Sequence, residues 1–195
     1  MTIDLDEAKR LLELADSGQD KLRDHMRRDN DSWTPLEFGK CEGRTIPWIL
    51  LHDPDYFFWA YENHAFFGMF KEVQEAYFKA RSIKIPGLKQ GFVVGYHVDY
   101  KNQLLRKVEV VCDWRIAGPK FAHTIYLEVL DLAVARHLKG YHKKGGKLLI
   151  RFLKELYFGS PAARLPRKVC KDFFNDDGNF DLDRDPKAEL KRALA

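Results

Sequence analysis

Cysteine is scarce in this sequence. The 195 residues hold three, Cys41, Cys112 and Cys170, too far apart and too few for a disulfide framework, and the count suits a reducing compartment. No CxxC or HxxxH spacing occurs, so a structural zinc site has no ligand pattern to start from. No window reaches the 18 or so consecutive apolar residues of a membrane span. The first residues, MTIDLDEAKRLLELADSG, are charged and lack the apolar h-region of a secretory signal. These absences set the expectation of a cytoplasmic chain with no membrane partner, no metal and no cofactor.

Two phosphate- and cation-binding motifs fail on inspection. GYHKKGGK resembles a Walker A loop, but five residues separate Gly140 from Gly146 where four are needed, and Leu148 replaces the Ser or Thr that would hold magnesium. NDDGNFDLDRDP has the composition of a calcium loop. Placing Gly178 at the sixth position puts Phe173 first and Arg184 twelfth, and neither ligates through oxygen. Serine–histidine and cysteine–histidine catalysis have no supporting motif among the seven histidines.

What the chain does have is a core and an uneven charge. Hydrophobic residues make up 45% and aromatics 13%, which excludes global disorder. The net charge is only +4, yet residues 81–173 hold 19 basic and 7 acidic side chains, between flanks that are net acidic. A basic block of this size points to a polyanionic partner.

The periodicity predicts an α+β fold. It places a helix over 3–16, a polar stretch over 17–32, and a short hairpin over 36–46 turning at Gly43. Pro47 opens a helical turn, and Asp53-Pro54 caps and starts a helix carrying Tyr56, Phe57 and Trp59. A second helix is predicted over roughly 65–80, from Phe66, Phe70, Val73 and Tyr77. GFVVGYHVDY and LLRKVEVVCDW flank KNQ and read as a β-hairpin, with RSIKIP as a third strand ended by Pro86. Helices are expected over about 120–139 and 146–158, then a short one in RKVCKDFF and one in KAELKRALA. The parts divide as an N-terminal segment 1–31, a hairpin–helix module 32–85 and a basic α+β unit 86–195 with an acidic tail.

The strongest local signal is HKKGGKLLIRFLKELYFG. At 100° per residue, Lys147, Arg151 and Lys154 fall within about 60° of one another, opposite Leu149, Phe152, Leu153, Leu156 and Tyr157. Docking that apolar face leaves a cationic ridge outward. Lys143 and Lys144 precede it, and Gly145-Gly146 with the first free N–H groups suggest a phosphate seat at the helix start. Lys40, Arg44, Arg167 and Lys168 are candidate helpers. Aromatic stacking on a single strand finds no exposed stripe in the sequence to support it.

The stretch over residues 36–80 is similar to a small module at the C-terminus of exonuclease-X-like proteins, also found in stand-alone bacterial and phage proteins. The residues that carry the resemblance are Phe38, Gly39, Lys40, Gly43, Arg44 and Ile46, then Asp53, Pro54, Tyr56 and Trp59; Cys41 stands where the module has an aromatic. The resemblance covers less than a quarter of the chain. It implies a compact hairpin-plus-helices unit associated with DNA metabolism, and no catalytic centre, because the exonuclease domain is missing. Phe38, Ile46, Trp48, Tyr56 and Trp59 read as core in such a unit.

The leading expectation is therefore a non-catalytic, nucleic-acid-binding accessory protein, of the kind phages and plasmids carry, with DNA ahead of RNA as partner. Two alternatives stay open: a module that binds a protein partner, and a divergent metal-dependent nuclease using Asp99, Glu109 and Asp113.

Overall fold

The computed structural model describes residues 33–37, 39–66, 69–112, 124–140, 142–184 and 190. The expected helix over 3–16, the polar stretch after it, Phe38, Asp113 and most of the expected terminal helix lie outside the described residues. So do residues 67–68, 114–123, 141 and 185–189.

The expected hairpin over 36–46 is smaller than its sequence suggests. Pro35 and Thr45 form a single antiparallel bridge, and Leu36 N–H donates to Arg44 O while Gly43 N–H donates to Leu36 O. Gly39 and Gly43 hold φ of 77° and 71°, which bends the chain too tightly for strands to extend. The loop leads directly into α1 (Ile46–Leu50) with Pro47 in its first turn. Next comes α2 (Pro54–Glu62), whose Asp53 cap accepts the Tyr56 N–H at 3.3 Å. Asn63 then bonds back to Trp59 O, and His64 takes a left-handed φ of 52°. That stop delays α3 to Phe70–Arg81, five residues later than the apolar spacing predicts.

The hairpin β1 (Phe92–Asp99) and β2 (Leu104–Cys112) forms as expected, with Gly95 opposite Glu109. The helix expected over 120–139 does not form there. Thr124–Leu127 is instead β3, paired antiparallel to the other edge of β1, so the sheet order is β2-β1-β3. TIYLEVL buries Ile125, Leu127 and Val129 alternately, and the open edge of β1 decides between two periods the sequence leaves balanced. Among the described residues in the remainder of that span, only α4 (Val134–Leu138) is helical. RSIKIP is not a third sheet strand either; Ile83 makes isolated bridges to Leu130 and Phe180.

The chain continues through α5 (Lys143–Phe158), α6 (Arg167–Asn175) and a 3-10 turn at Asp177–Asn179. The result is an α+β fold, with six helices and one antiparallel sheet among the described residues. One face of the sheet supplies Val94, Tyr96, Val98, Ile125 and Leu127 to a core completed by Leu149 and Leu153 of α5, Phe173 and Phe174 of α6, and Ile49, Leu50 and Phe57 from the first two helices. The described residues belong to one compact unit, and residues on both sides of position 85 contribute to its core.

Candidate nucleic-acid interface

Helix α5 is amphipathic in the sense its sequence requires. Leu149, Ile150 and Leu153 are buried, Phe152, Leu156 and Tyr157 are half-buried, and Lys143, Lys144, Lys147 and Arg151 are exposed, with Lys154 half-buried at the rim. Among the described residues none of these five cations has a carboxylate partner. Elsewhere cations are commonly matched: Lys40 with Asp53 at 2.8 Å, Lys107 with Glu109 at 2.6 Å, Arg136 with Glu62 at 2.6 Å and Lys168 with Asp172 at 2.6 Å. A row of aligned charges without paired carboxylates, with Glu155 off its line, keeps most of its attraction for an external anion.

A second basic element stands beside the ridge. Arg44, Trp48 and His52 recur every fourth residue into and through α1. The Arg44 guanidinium carbon lies 4.5 Å from the Trp48 ring centroid, and the His52 ring stacks on Trp48 at 4.1 Å and 14°. His52 Nδ1 is 2.8 Å from Trp48 O. Loss of water against its neighbours pulls the His52 pKa below its ordinary value, the Trp48 carbonyl opposes this, and the positive charges of Lys154 and Arg44 pull it down further. Lys154 of the α5 ridge is thus near enough for its charge to act on His52. Arg167, at the start of α6, donates to Gly43 O at 2.9 Å, next to Arg44.

The fold therefore gathers Lys154, Arg44 and Arg167, and aligns Lys143, Lys144, Lys147 and Arg151 along one helix. Lys40 and Lys168 are held by neighbouring carboxylates, and Lys40 also sits 5.1 Å above the Tyr56 ring. His52 was not a candidate from sequence, although its four-residue spacing from Trp48 and Arg44 across a proline-started turn was the available signal. Trp48 and Tyr56 are half-buried and Trp59 is 43% exposed, so of the expected core aromatics Trp59 lies outside it.

The expected phosphate seat at the α5 start is corrected by packing. A Cβ on Gly145 would come within 2.5 Å of His142 Nδ1 and 2.8 Å of the Ala135 Cβ, and one on Gly146 within 3.2 Å of Pro54. Both glycines are buried, and they let α5 approach α2 and α4 closely. The anion at this helix start is the protein's own: Asp55, 3% exposed, accepts the His142 N–H at 3.4 Å and lies 3.6 Å from Arg136. Burial raises the Asp55 pKa, against the His142 hydrogen bond and the Arg136 charge.

The nuclease alternative finds little to build on. Asp99 accepts from Asn102 and Arg106, hydrogen bonds that pull its pKa down to about 2. Glu109 is held by Lys107 and by His97 at 2.8 Å, the Lys107 bond first in lowering its pKa. Asp113 is outside the described residues, and among those described no group of three His, Cys, Asp or Glu is placed to hold a metal ion. No described helix is long and apolar enough to cross a membrane.

No protein-family model, curated protein or solved structure matches the chain.

Proposed function

We propose that this chain is a nucleic-acid-binding accessory protein of DNA metabolism, acting in the cytoplasm and binding phosphates through the outward ridge of α5. The observation that carries the reading is the alignment of Lys143, Lys144, Lys147, Arg151 and Lys154 on one helix with no acid partner among the described residues. Arg44, spread over Trp48, and Arg167, anchored to Gly43 O, extend the positive surface past Lys154 with side chains already ordered. Ordering in advance lowers the entropy lost when phosphate arrives. The likeness of residues 36–80 to the exonuclease-X-associated module favours DNA over RNA and binding over catalysis.

Titration of fluorescent oligonucleotides at two salt concentrations tests the reading. Five phosphate contacts predict that affinity falls roughly 100-fold on a single strand, or 500-fold on a duplex, between about 50 and 200 mM salt. Replacing Lys147, Arg151 and Lys154 together by Gln should weaken binding at least tenfold and lower the salt slope by about 2 to 3. Absence of binding at about 50 mM salt would overturn the function. Undiminished binding by the triple variant would overturn the site.

A further inference from the structure

Among the described residues, Trp59 is the largest side chain left in solvent. It is 43% exposed, whereas Trp33 is buried in the core and Trp48 is covered by Arg44 and His52. An indole contributes most to stability when its faces are packed, so this one is spent elsewhere than in the core. No cation is placed over its ring among the described residues. Its described aromatic neighbour is Tyr56, at 5.8 Å and a tilt of 30°, and Tyr56 carries Lys40 above it.

Its position matters as much as its exposure. Trp59 follows Asp55 by one turn of α2, about 6 Å along the axis. Asp55 is the residue that meets the first turn of α5, through the His142 N–H and the close approach of Gly146. The exposed indole therefore stands one helical turn along α2 from the residue that meets the start of α5, the helix that opens with Lys143 and Lys144. Near Lys154, the Trp48 indole already has the His52 ring stacked on it and the Arg44 guanidinium over it.

We infer that the ligand is single-stranded nucleic acid, with Trp59 stacking an unpaired base while the α5 cations hold the phosphates. This deepens the proposed function and rests on it. A duplex keeps its bases paired and stacked internally, so only a single strand, an overhang or a frayed end presents a base to an isolated indole. A cationic track with an aromatic platform beside it is the arrangement that binds single strands with little sequence preference.

The test compares three probes of equal length: oligodeoxythymidine, a base-free sugar-phosphate strand and a blunt duplex. Trp59→Ala should weaken oligodeoxythymidine binding roughly 5- to 150-fold and leave the base-free strand unchanged. Trp59→Leu keeps apolar volume without the extended π face and should lose nearly as much, while Trp59→Phe should retain most of the affinity. Thermal melting of each variant provides the folding control. Equal losses on both strands, no loss on either, or wild-type binding as tight to duplex as to oligodeoxythymidine would overturn the inference. If the α5 triple variant loses affinity for every probe and Trp59→Ala for none, only the stacking fails. If the triple variant loses nothing, the phosphate-binding function fails with it.

Discussion

His52 shows how a single side chain reports on the site around it. Its ring edge reaches solvent, yet one face is dried by Trp48 and two positive charges stand near, so the folded protein resists protonating it. The sign follows from linkage. The unfolded chain takes up the proton near the ordinary histidine value of about 6.5, and the folded chain takes it up only at lower pH. Stability is therefore unaffected above that value and is lost as pH falls from it through the lowered folded pKa. His137 and His142 are shifted in the same direction by burial, so the wild type should lose stability on mild acidification. His52→Gln should reduce that loss, read as a shallower fall in melting temperature between pH of about 7.5 and 5. A bound phosphate would neutralise the repulsion from Lys154 and Arg44, so oligonucleotide affinity should rise as pH falls across the same window in the wild type and less in the variant. An acid response identical in both proteins would remove His52 from the site.

At the scale of elements, α5 divides what the sequence reveals from what it hides. Its amphipathic faces were legible because they depend on spacing within one helix: Leu149 and Leu153 fall inward, Lys147 and Arg151 outward. Asp53-Pro54 and the β1–β2 hairpin were legible for the same reason, each being a local preference that the fold does not oppose. Gly145-Gly146 was misread because its meaning lies in residues distant in sequence, with Ala135 beneath one glycine and Pro54 beneath the other. The span 120–139 was misread because an apolar run such as TIYLEVL suits a strand wherever a sheet edge is open, and sequence does not display the edge of β1. Trp59 and Trp48 shared one expectation, and their separation depends on which helix faces meet the core. The packing role of Gly145 has a direct consequence. Gly145→Ala would ordinarily favour a helix by up to about 1 kcal/mol. Here the added methyl strikes the His142 ring and Ala135, and the net expectation is destabilisation of roughly 1–3 kcal/mol, measured by urea unfolding. Stabilisation by Gly145→Ala would overturn the packing role of this glycine.

Across the whole molecule, a buried polar joint links elements that are distant in sequence. Arg81, at the end of α3 and 1% exposed, donates to Asp131 through Nε at 3.1 Å and Nη2 at 3.0 Å, and through Nη1 to Tyr77 Oη at 2.7 Å. Asp131 also accepts the Ala133 N–H at 2.7 Å, and its own N–H donates to Tyr96 Oη. One carboxylate thus ties α3, β1 and the entry to α4. From α4 the connection continues through Arg136 to Asp55 and Glu62 of α2, where α5 begins. Removing the carboxylate takes two hydrogen bonds and an opposing charge from a buried guanidinium, so Asp131→Ala should cost about 3–5 kcal/mol in urea unfolding. Replacing both partners with apolar side chains, Arg81→Met with Asp131→Leu, should recover much of that loss, because two desolvated charges disappear together. If the joint also positions the ridge, the double variant should fold yet bind oligodeoxythymidine more weakly than wild type at equal salt, with an unchanged salt slope. An unchanged slope with weaker binding means that the same cations meet phosphate from a less ordered scaffold, whereas a reduced slope would mean that contacts themselves are gone. Full affinity in the double variant would confine the Arg81–Asp131 pair to stability, and leave the packing of Gly145 and Gly146 against α4 and α2 to hold the ridge in place.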